Sequence, residues 1–151
     1  KLMRKPEAPI KFKFEIEDAP TFINGVFGQV QTAVLYVQSS GYSINTFTLQ
    51  TQSTTAMTLE NGALGGLEGF IVNTIDSELN LGTYQIAWST ADANDSTKYI
   101  TDTSGGWKKL AFFTLVDGAA PVLTYCNEIS GKDESGNAFS TLSSDLIEII
   151  I

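Results

Sequence analysis

Residues 10–17, IKFKFEIE, alternate apolar and charged side chains without exception over eight positions. Successive side chains of a β-strand point to opposite faces, so the apolar residues share one face and the charged residues the other. The apolar face consists of Ile10, Phe12, Phe14 and Ile16. Full burial of four such side chains is worth roughly 6–12 kcal/mol before any entropic cost. A strand of this kind must therefore pack its apolar face against another surface.

The rest of the chain predicts an all-β protein, with helix at most in short turns. Eight further strands are expected, about nine in all, at the spacing typical of a sandwich or barrel. The alternation slips by one residue near Asn45-Thr46, which predicts a β-bulge. Asp18-Ala19-Pro20 is expected to end the first strand, and Asn24-Gly25 to form a tight turn. The expected strands after the first cover 26–38, 42–51, 56–60, 70–72, 83–90, 107–116, 122–129 and 145–151.

We therefore predict a single-domain antiparallel β-sandwich, either jelly-roll or immunoglobulin-like, over residues 10–151. Residues 1–9 are expected to form an extended N-terminal arm, because Pro6 and Pro9 keep this segment out of a regular sheet. Its basic residues Lys1, Arg4 and Lys5 are expected to be solvated, as terminal residues usually are. The chain opens at Lys1 rather than Met, so either an upstream segment was removed or the sequence begins inside a precursor.

The charge balance argues against two classes of partner. The chain carries nine Lys and Arg against seventeen Asp and Glu, a net charge of −8. Binding to nucleic acid through its phosphates needs clustered basic residues, so we expect none. Docking on an anionic membrane surface is disfavoured for the same reason. No stretch approaches the roughly 20 consecutive apolar residues of a membrane span, so none is expected.

The residue types needed for catalysis are scarce. The chain has no histidine, so acid–base chemistry would fall to carboxylates, lysine or tyrosine. Cys126 is the single cysteine, lies in an apolar run and is expected to be a small buried hydrophobe without a disulfide. We therefore expect that the chain is not an enzyme, binds no cofactor and has no catalytic or cofactor-binding residue. The acids fall mostly in expected turns, such as Asp18, Asp76, Asp102 and Asp117, or on outward faces of strands, such as Glu15 and Glu17.

Three loops carry ligand-like patterns that also have ordinary explanations. Residues 92–95 and 133–137 place oxygen ligands on short loops, as Ca²⁺ sites do, although such loops are commonly just turns. Neither has the spacing of the helix-flanked calcium loop, and no metal ligand is assigned. Asn94-Asp95-Ser96 matches the N-glycosylation pattern. The glycine-rich segment 61–69 lacks the Lys-Ser/Thr of a phosphate loop, so we expect an interstrand loop whose leucines anchor it or meet a partner.

Two functions from different classes are compatible with these features. The first is a non-enzymatic structural subunit of a large assembly that associates with itself, and with other subunits of that assembly. It would be a virion component (tail tube, capsid or decoration protein) or an extracellular filament subunit, with a terminal strand added to a neighbour's sheet edge. The alternative for the first strand is that it opens its own sandwich. The expected subunit-contact residues are Ile10, Phe12, Phe14, Ile16, Leu64, Leu67, Ile149 and Ile151.

The second function is a secreted carbohydrate-binding or adhesion module. Such a module stacks sugar rings on exposed aromatic side chains, and the chain has two tryptophans and five tyrosines. Trp88 alternates with Tyr84 and Ile86, which favours a core face. Trp107 follows Gly105-Gly106 at a strand start and is the better candidate for exposure. An exposed row of aromatic residues would favour this function over assembly.

Overall fold

The computed structural model describes residues 8–23, 26–53, 57–59, 70–74, 82–101, 106–115, 121–141 and 147–150. Within these ranges the chain forms ten strands and one short 3-10 helix, Ser96–Lys98. The strands are β1 (Ile10–Ile23), β2 (Val26–Ser39), β3 (Ser43–Gln52), β4 (Met57–Leu59), β5 (Phe70–Thr74), β6 (Thr83–Ser89), β7 (Lys108–Leu115), β8 (Val122–Lys132), β9 (Ala138–Thr141) and β10 (Ile147–Ile150).

The strands form two five-stranded sheets that pack face to face. Sheet A has the order β10-β1-β2-β7-β4, and sheet B has the order β5-β6-β3-β8-β9. Among the described strands all pairings are antiparallel except that of β1 with β10, which is parallel and runs from Ile10↔Ile147 to Lys13↔Ile150. The prediction of an all-β sandwich is confirmed.

The core lies between the two sheets and draws on the alternating residues of each. Ile10 and Phe12 of β1 meet the inward-facing residues of β3, β6 and β8 across the sandwich. The Phe12 and Phe47 rings lie 5.1 Å apart between centroids, and Phe47 lies 5.9 Å from Trp88. The expected core face of β6 is confirmed, because Ile86 and Trp88 are buried and Tyr84 packs against them.

The prediction that Asp18-Ala19-Pro20 ends the first strand is wrong, because β1 continues to Ile23 in unbroken register with β2. The Ser40 amide donates to the Pro9 carbonyl at 2.9 Å, so odd-numbered residues of β1 turn their backbone groups toward β2. Pro20 is even-numbered, and its missing N–H therefore faces away from β2. The ladder loses no hydrogen bond there, which is the position where a strand tolerates proline.

Two other local features can be compared with the sequence. The bulge expected near Asn45-Thr46 is confirmed, since the register of β3 on β8 shifts between Ile44 and Thr46. Strand β9 was not expected; it pairs with the end of β8 after the turn of residues 133–137. The Asn24-Gly25 turn lies outside the described residues, although Ile23 pairs with Val26 on either side of it.

Candidate interaction surfaces

The first part of β1 packs in the core of its own chain. Ile10 and Phe12 are both 0% exposed, and each touches the opposing sheet through the core cluster. The alternative of a strand that opens its own sandwich therefore describes these two residues, and their place at or beside a subunit contact stays a prediction. Their burial needs no second chain, because β2 and sheet B already cover the strand.

Burial decreases along β1 toward its second half. Phe14 is half-buried and meets Phe113 edge to face, with ring centroids 5.9 Å apart. Ile16, two residues further on the same face, is 39% exposed. The sandwich thus covers the beginning of the apolar face and leaves its end in solvent. Of the expected contact residues on β1, Ile16 is the one whose side chain is exposed to solvent.

The remaining expected contact residues lie elsewhere. Ile149 is half-buried, packs against the core and is the register partner of Phe12 in the parallel pairing of β10 with β1. Ile149 therefore lies on the edge strand of sheet A and is part of the sandwich. Leu64, Leu67 and Ile151 lie outside the described residues. That all these residues contribute to a subunit contact stays a prediction.

Past the last described pairing of β2 with β7, β1 and β2 continue to pair with each other. Six register pairs, from Asp18↔Gln31 to Ile23↔Val26, extend past the last pairing of β2 with β7 at Thr32. We call these segments, 18–23 and 26–31, the β1–β2 extension. At about 3.4 Å per residue it is about 20 Å long. In the described part of the chain no third strand pairs with it.

The side of β1 that faces away from β2 is only partly covered. Among the described residues, strand β10 pairs with Ile10 to Lys13. From the strand alternation, the C=O group of Phe14 and the N–H and C=O groups of Ile16 and Asp18 point to this side, where no described strand pairs with them. We call residues 14–18 the edge segment. Unpaired backbone groups of this kind are a template for pairing with another chain.

The outer face of sheet A carries a cluster of aromatic and charged side chains. Val34, Tyr36 and Phe112 form a small buried cluster there, and Trp107 packs against it. The Lys13 ammonium lies 4.2 Å from the centroid of the Trp107 ring and 5.3 Å from that of Tyr36. One face of Trp107 is therefore occupied by a cation of the same chain, an attractive contact with the ring quadrupole.

Two carboxylates complete this outer-face cluster. Lys13 forms an ion pair with Glu15 at 2.7 Å, and Lys109 lies 3.7 Å from Glu17. The Tyr36 hydroxyl donates to Glu17 Oε2 at 2.8 Å. Burial, and then the hydrogen bond to Glu17, raise the pKa of Tyr36 well above its ordinary range. The phenol is thus a permanent donor at neutral pH, and the cluster is internally paired.

The acid-rich loops use their carboxylates to hold turns. Asp95 Oδ1 accepts hydrogen bonds from the amide and the hydroxyl of Thr97 at 3.0 and 2.6 Å, which caps the 3-10 helix. The hydroxyl bond is the main reason that the pKa of Asp95 is lowered. Asp133 Oδ1 accepts from the amides of Ser135 and Asn137, each at 2.9 Å. These contacts match the turn alternative for both loops.

The described residues hold no further cluster of reactive groups. Cys126 is half-buried against the core, and burial raises the pKa of its thiol to about 11. At neutral pH it is therefore a thiol, which is a poor nucleophile. Nowhere in the described ranges do three His, Cys, Asp or Glu side chains meet as metal ligands. None of the helical turns described is long and apolar enough to cross a membrane.

All seven tyrosines and tryptophans of the chain lie in the described ranges, so their exposure can be compared directly. Tyr36, Trp88 and Tyr99 are buried, and Tyr42 and Tyr84 pack against the core. Trp107 is half-buried beneath Lys13. Tyr125 alone among them is an exposed large side chain, at 50%; its hydroxyl donates to Gln50 Oε1 at 2.6 Å. These residues do not form an exposed row.

Comparison with known proteins identifies no family for this chain. No family model matches the chain. No curated protein matches it. Among solved structures, a chain of the crystal structure of the CaDoc0917–CaCohA2 complex at pH 5.5 is similar, with a TM-score of 0.46 and 13% identity, over 86% of this chain and 91% of that chain. At this level the likeness carries no argument about function.

Proposed function

We propose that this chain is a non-enzymatic structural subunit of a large, self-associating assembly. The assembly would be a virion component, such as a tail tube, capsid or decoration protein, or an extracellular filament. The observation that carries the proposal is the β1–β2 extension, whose six register pairs continue past the last described pairing of β2 with β7. A two-stranded hairpin is at best marginally stable in water, so an extension of this length gains from a neighbouring surface.

The sequence of the extension supports a contact role. Phe22-Ile23 and Val26-Phe27 stand on either side of Asn24-Gly25, so four apolar residues of the chain are concentrated at the far end of the extension. Between Asp18 and Lys98 the chain has three acids at most per twenty residues and no basic residue before Lys98. An uncharged, apolar hairpin end is typical of a segment that becomes covered on association.

The carbohydrate-binding alternative has less support. Stacking of sugar rings on a flat protein surface needs exposed, roughly coplanar aromatic rings. Tyr125 is the one exposed side chain among the tyrosines and tryptophans. The half-buried Trp107, the better candidate from sequence, has Lys13 over its ring at 4.2 Å. A sugar would have to displace this cation from that face. We therefore favour the assembly function.

Shortening the extension tests the proposal. Removal of residues 20–23 and 26–29 joins Ala19 to Val30 through Asn24-Gly25. The deletion keeps the strand register, because Ala19 and Val30 are already partners, and Asn-Gly suits a two-residue hairpin. We expect the full chain to form oligomers whose mass rises with concentration. The shortened chain should associate at least about tenfold more weakly, a change of about 1.4 kcal/mol.

Light scattering and sedimentation measure the association, and circular dichroism verifies that the shortened chain keeps its β-spectrum. A matched control is Tyr125→Ser, which removes the exposed aromatic side chain on sheet B and should leave association unchanged. A full chain that stays monomeric at every concentration would contradict the proposal. Equal association of the shortened and full chains would also contradict it.

A further inference from the structure

Strands β1 and β10 lie side by side and run in the same direction, from Ile10↔Ile147 to Lys13↔Ile150. We call these paired segments, 10–13 and 147–150, the β1–β10 pair. The chain before Ile10 leaves the pair at one end, and the chain after Ile150 leaves it at the other end, about 10 Å further along the strands. A force that pulls these two parts of the chain away from each other therefore acts along both strands, in opposite directions.

We propose that the β1–β10 pair is a mechanical clamp through which the domain carries tension along its own chain. The force slides the two strands past each other, so the hydrogen bonds between them are loaded together and must break together. If β10 were antiparallel to β1, the same force would open the pair from one end, bond by bond. This load-bearing role does not depend on the proposed assembly function.

The register identifies the hydrogen bonds that share the load. Even-numbered residues of β1 face β10, because odd-numbered residues bond to β2. In this parallel ladder the Phe12 N–H donates to the Glu148 carbonyl, and the Phe12 carbonyl accepts from the Ile150 N–H. The Glu148 N–H donates to the Ile10 carbonyl, and the Phe14 N–H donates to the Ile150 carbonyl. At least four backbone hydrogen bonds are therefore loaded at once.

The side chains of both strands oppose the same sliding motion. Ile10 and Phe12 are 0% exposed, and Ile147 and Ile149 pack against the same core cluster. A slip by one residue would turn the apolar side chains of a strand to its other face. The first step of sliding thus breaks the backbone ladder and the core contacts together, which raises the barrier to forced unfolding.

The β1–β10 pair is also the shorter of the two ladders that hold β1. Fourteen register pairs join β1 to β2, whereas four join it to β10 among the described residues. The Ser40 amide, which donates to the Pro9 carbonyl at 2.9 Å, holds the start of β1 on the β2 side. The load should therefore separate β10 from β1 before it separates β1 from β2, and the β1–β10 pair sets the unfolding force.

Pulling single molecules of the full-length chain in two geometries tests the inference. Handles are attached through cysteines at Ala8 and Ile150 for the sliding geometry, and at Ala8 and Ser40 for an unzipping geometry, with Cys126→Ser in both. Ala8 and Ser40 flank the same end of the β1–β2 ladder, since Ile10 pairs with Ser39. Force there opens the antiparallel ladder one closely spaced pair of hydrogen bonds at a time.

We expect the mean unfolding force at one loading rate to be at least about twofold higher in the sliding geometry, because four bonds rather than two are loaded together. The measurement reports the barrier directly, since forced unfolding is governed by the unfolding rate. Equal forces in the two geometries, or a higher force in the unzipping geometry, would overturn the inference.

A substitution on β10 tests which bonds carry the load. Glu148→Pro removes the N–H that donates to Ile10, whereas the matched control, Glu148→Ala, removes the same exposed side chain and keeps that N–H. In the sliding geometry Glu148→Pro should lower the mean unfolding force by at least about a quarter, because one of four bonds is lost. Glu148→Ala should unfold at the force of the parent chain.

Equal forces for the proline and alanine variants would show that the β1–β10 pair does not bear the load. Circular dichroism shows whether each variant is folded. Should Glu148→Pro be unfolded, the comparison of the two pulling geometries in the parent sequence decides alone. Because single molecules are pulled, association plays no part in the result, so the inference can fail while the proposed function holds, and the reverse.

Discussion

Replacing Phe12 by alanine tests whether β1 belongs to the core of its own chain. The Phe12 side chain is 0% exposed, and its ring reaches across the sandwich to within 5.1 Å of the Phe47 centroid. Removing a fully buried phenylalanine costs about 3–5 kcal/mol, the sum of lost transfer free energy and the cavity left behind. Since whole domains are stable by about 5–15 kcal/mol, Phe12→Ala should lose a large part of the total.

Urea unfolding followed by tryptophan fluorescence measures this loss, because Trp88 lies 5.9 Å from Phe47 in the same core. Two variants on the same strand serve as controls. Glu15→Ala, which breaks an exposed ion pair with Lys13, should change the free energy of unfolding by less than about 1 kcal/mol. Ile16→Ala should lose less than about 1.5 kcal/mol, because 39% of this residue is already exposed.

The order of these losses is the decisive result. A loss for Phe12→Ala no greater than that for Ile16→Ala would show that the first half of β1 is not packed in its own sandwich. The donated-strand alternative would then hold for β1. A change in the slope of the denaturant dependence would instead indicate an altered compactness of one of the two states.

Two further predictions concern single positions. A Cβ on Gly131 would lie 1.9 Å from the Ser43 carbonyl oxygen. Gly131→Ala should therefore lower the free energy of unfolding, measured in urea, by at least about 2 kcal/mol. Gly136→Ala, at φ +81 with open space around it, should cost about 1–2 kcal/mol; equal losses would contradict the close approach of β3 and β8. Because burial and Glu17 raise the pKa of Tyr36, its phenol should stay protonated in the folded chain at a pH above the ordinary tyrosine pKa of about 10. Above that pH the unfolded chain releases this proton and the folded chain keeps it, so the free energy of unfolding should fall as pH rises; an equal fall for the Tyr36→Phe variant would contradict this.

The sequence predicted the local features that depend on alternation. The apolar and charged faces of residues 10–17 follow from a period of two, and the structure places Ile10 and Phe12 in the core accordingly. The slip at Asn45 is equally local, because two core residues, Ile44 and Phe47, stand three positions apart. Patterns of this kind predict the fold correctly because the alternation of apolar residues determines which face of a strand is buried.

Features that depend on distant partners could not be predicted in the same way. Whether proline ends a strand depends on which side its nitrogen faces, and Pro20 faces away from β2. The parallel pairing of β10 with β1 joins residues more than 130 positions apart, and no local pattern encodes it. The position of Lys13 over Trp107 likewise requires β1, β2 and β7 to be adjacent. An Asn-Gly turn between apolar pairs was the one available signal for the β1–β2 extension.

The residues of the edge segment also decide which partner it can accept. A long, uncharged, open strand edge pairs without discrimination, and natural proteins limit such edges with charge and proline. Here Glu15, Glu17 and Asp18 lie on the edge strand and Pro20 closes it. If two edge segments paired with each other, the carboxylates of both copies would come together, and like charges across a strand pair are destabilising. A basic strand avoids this repulsion. The residues of the edge segment therefore oppose edge-to-edge dimers of two copies and favour a basic partner strand.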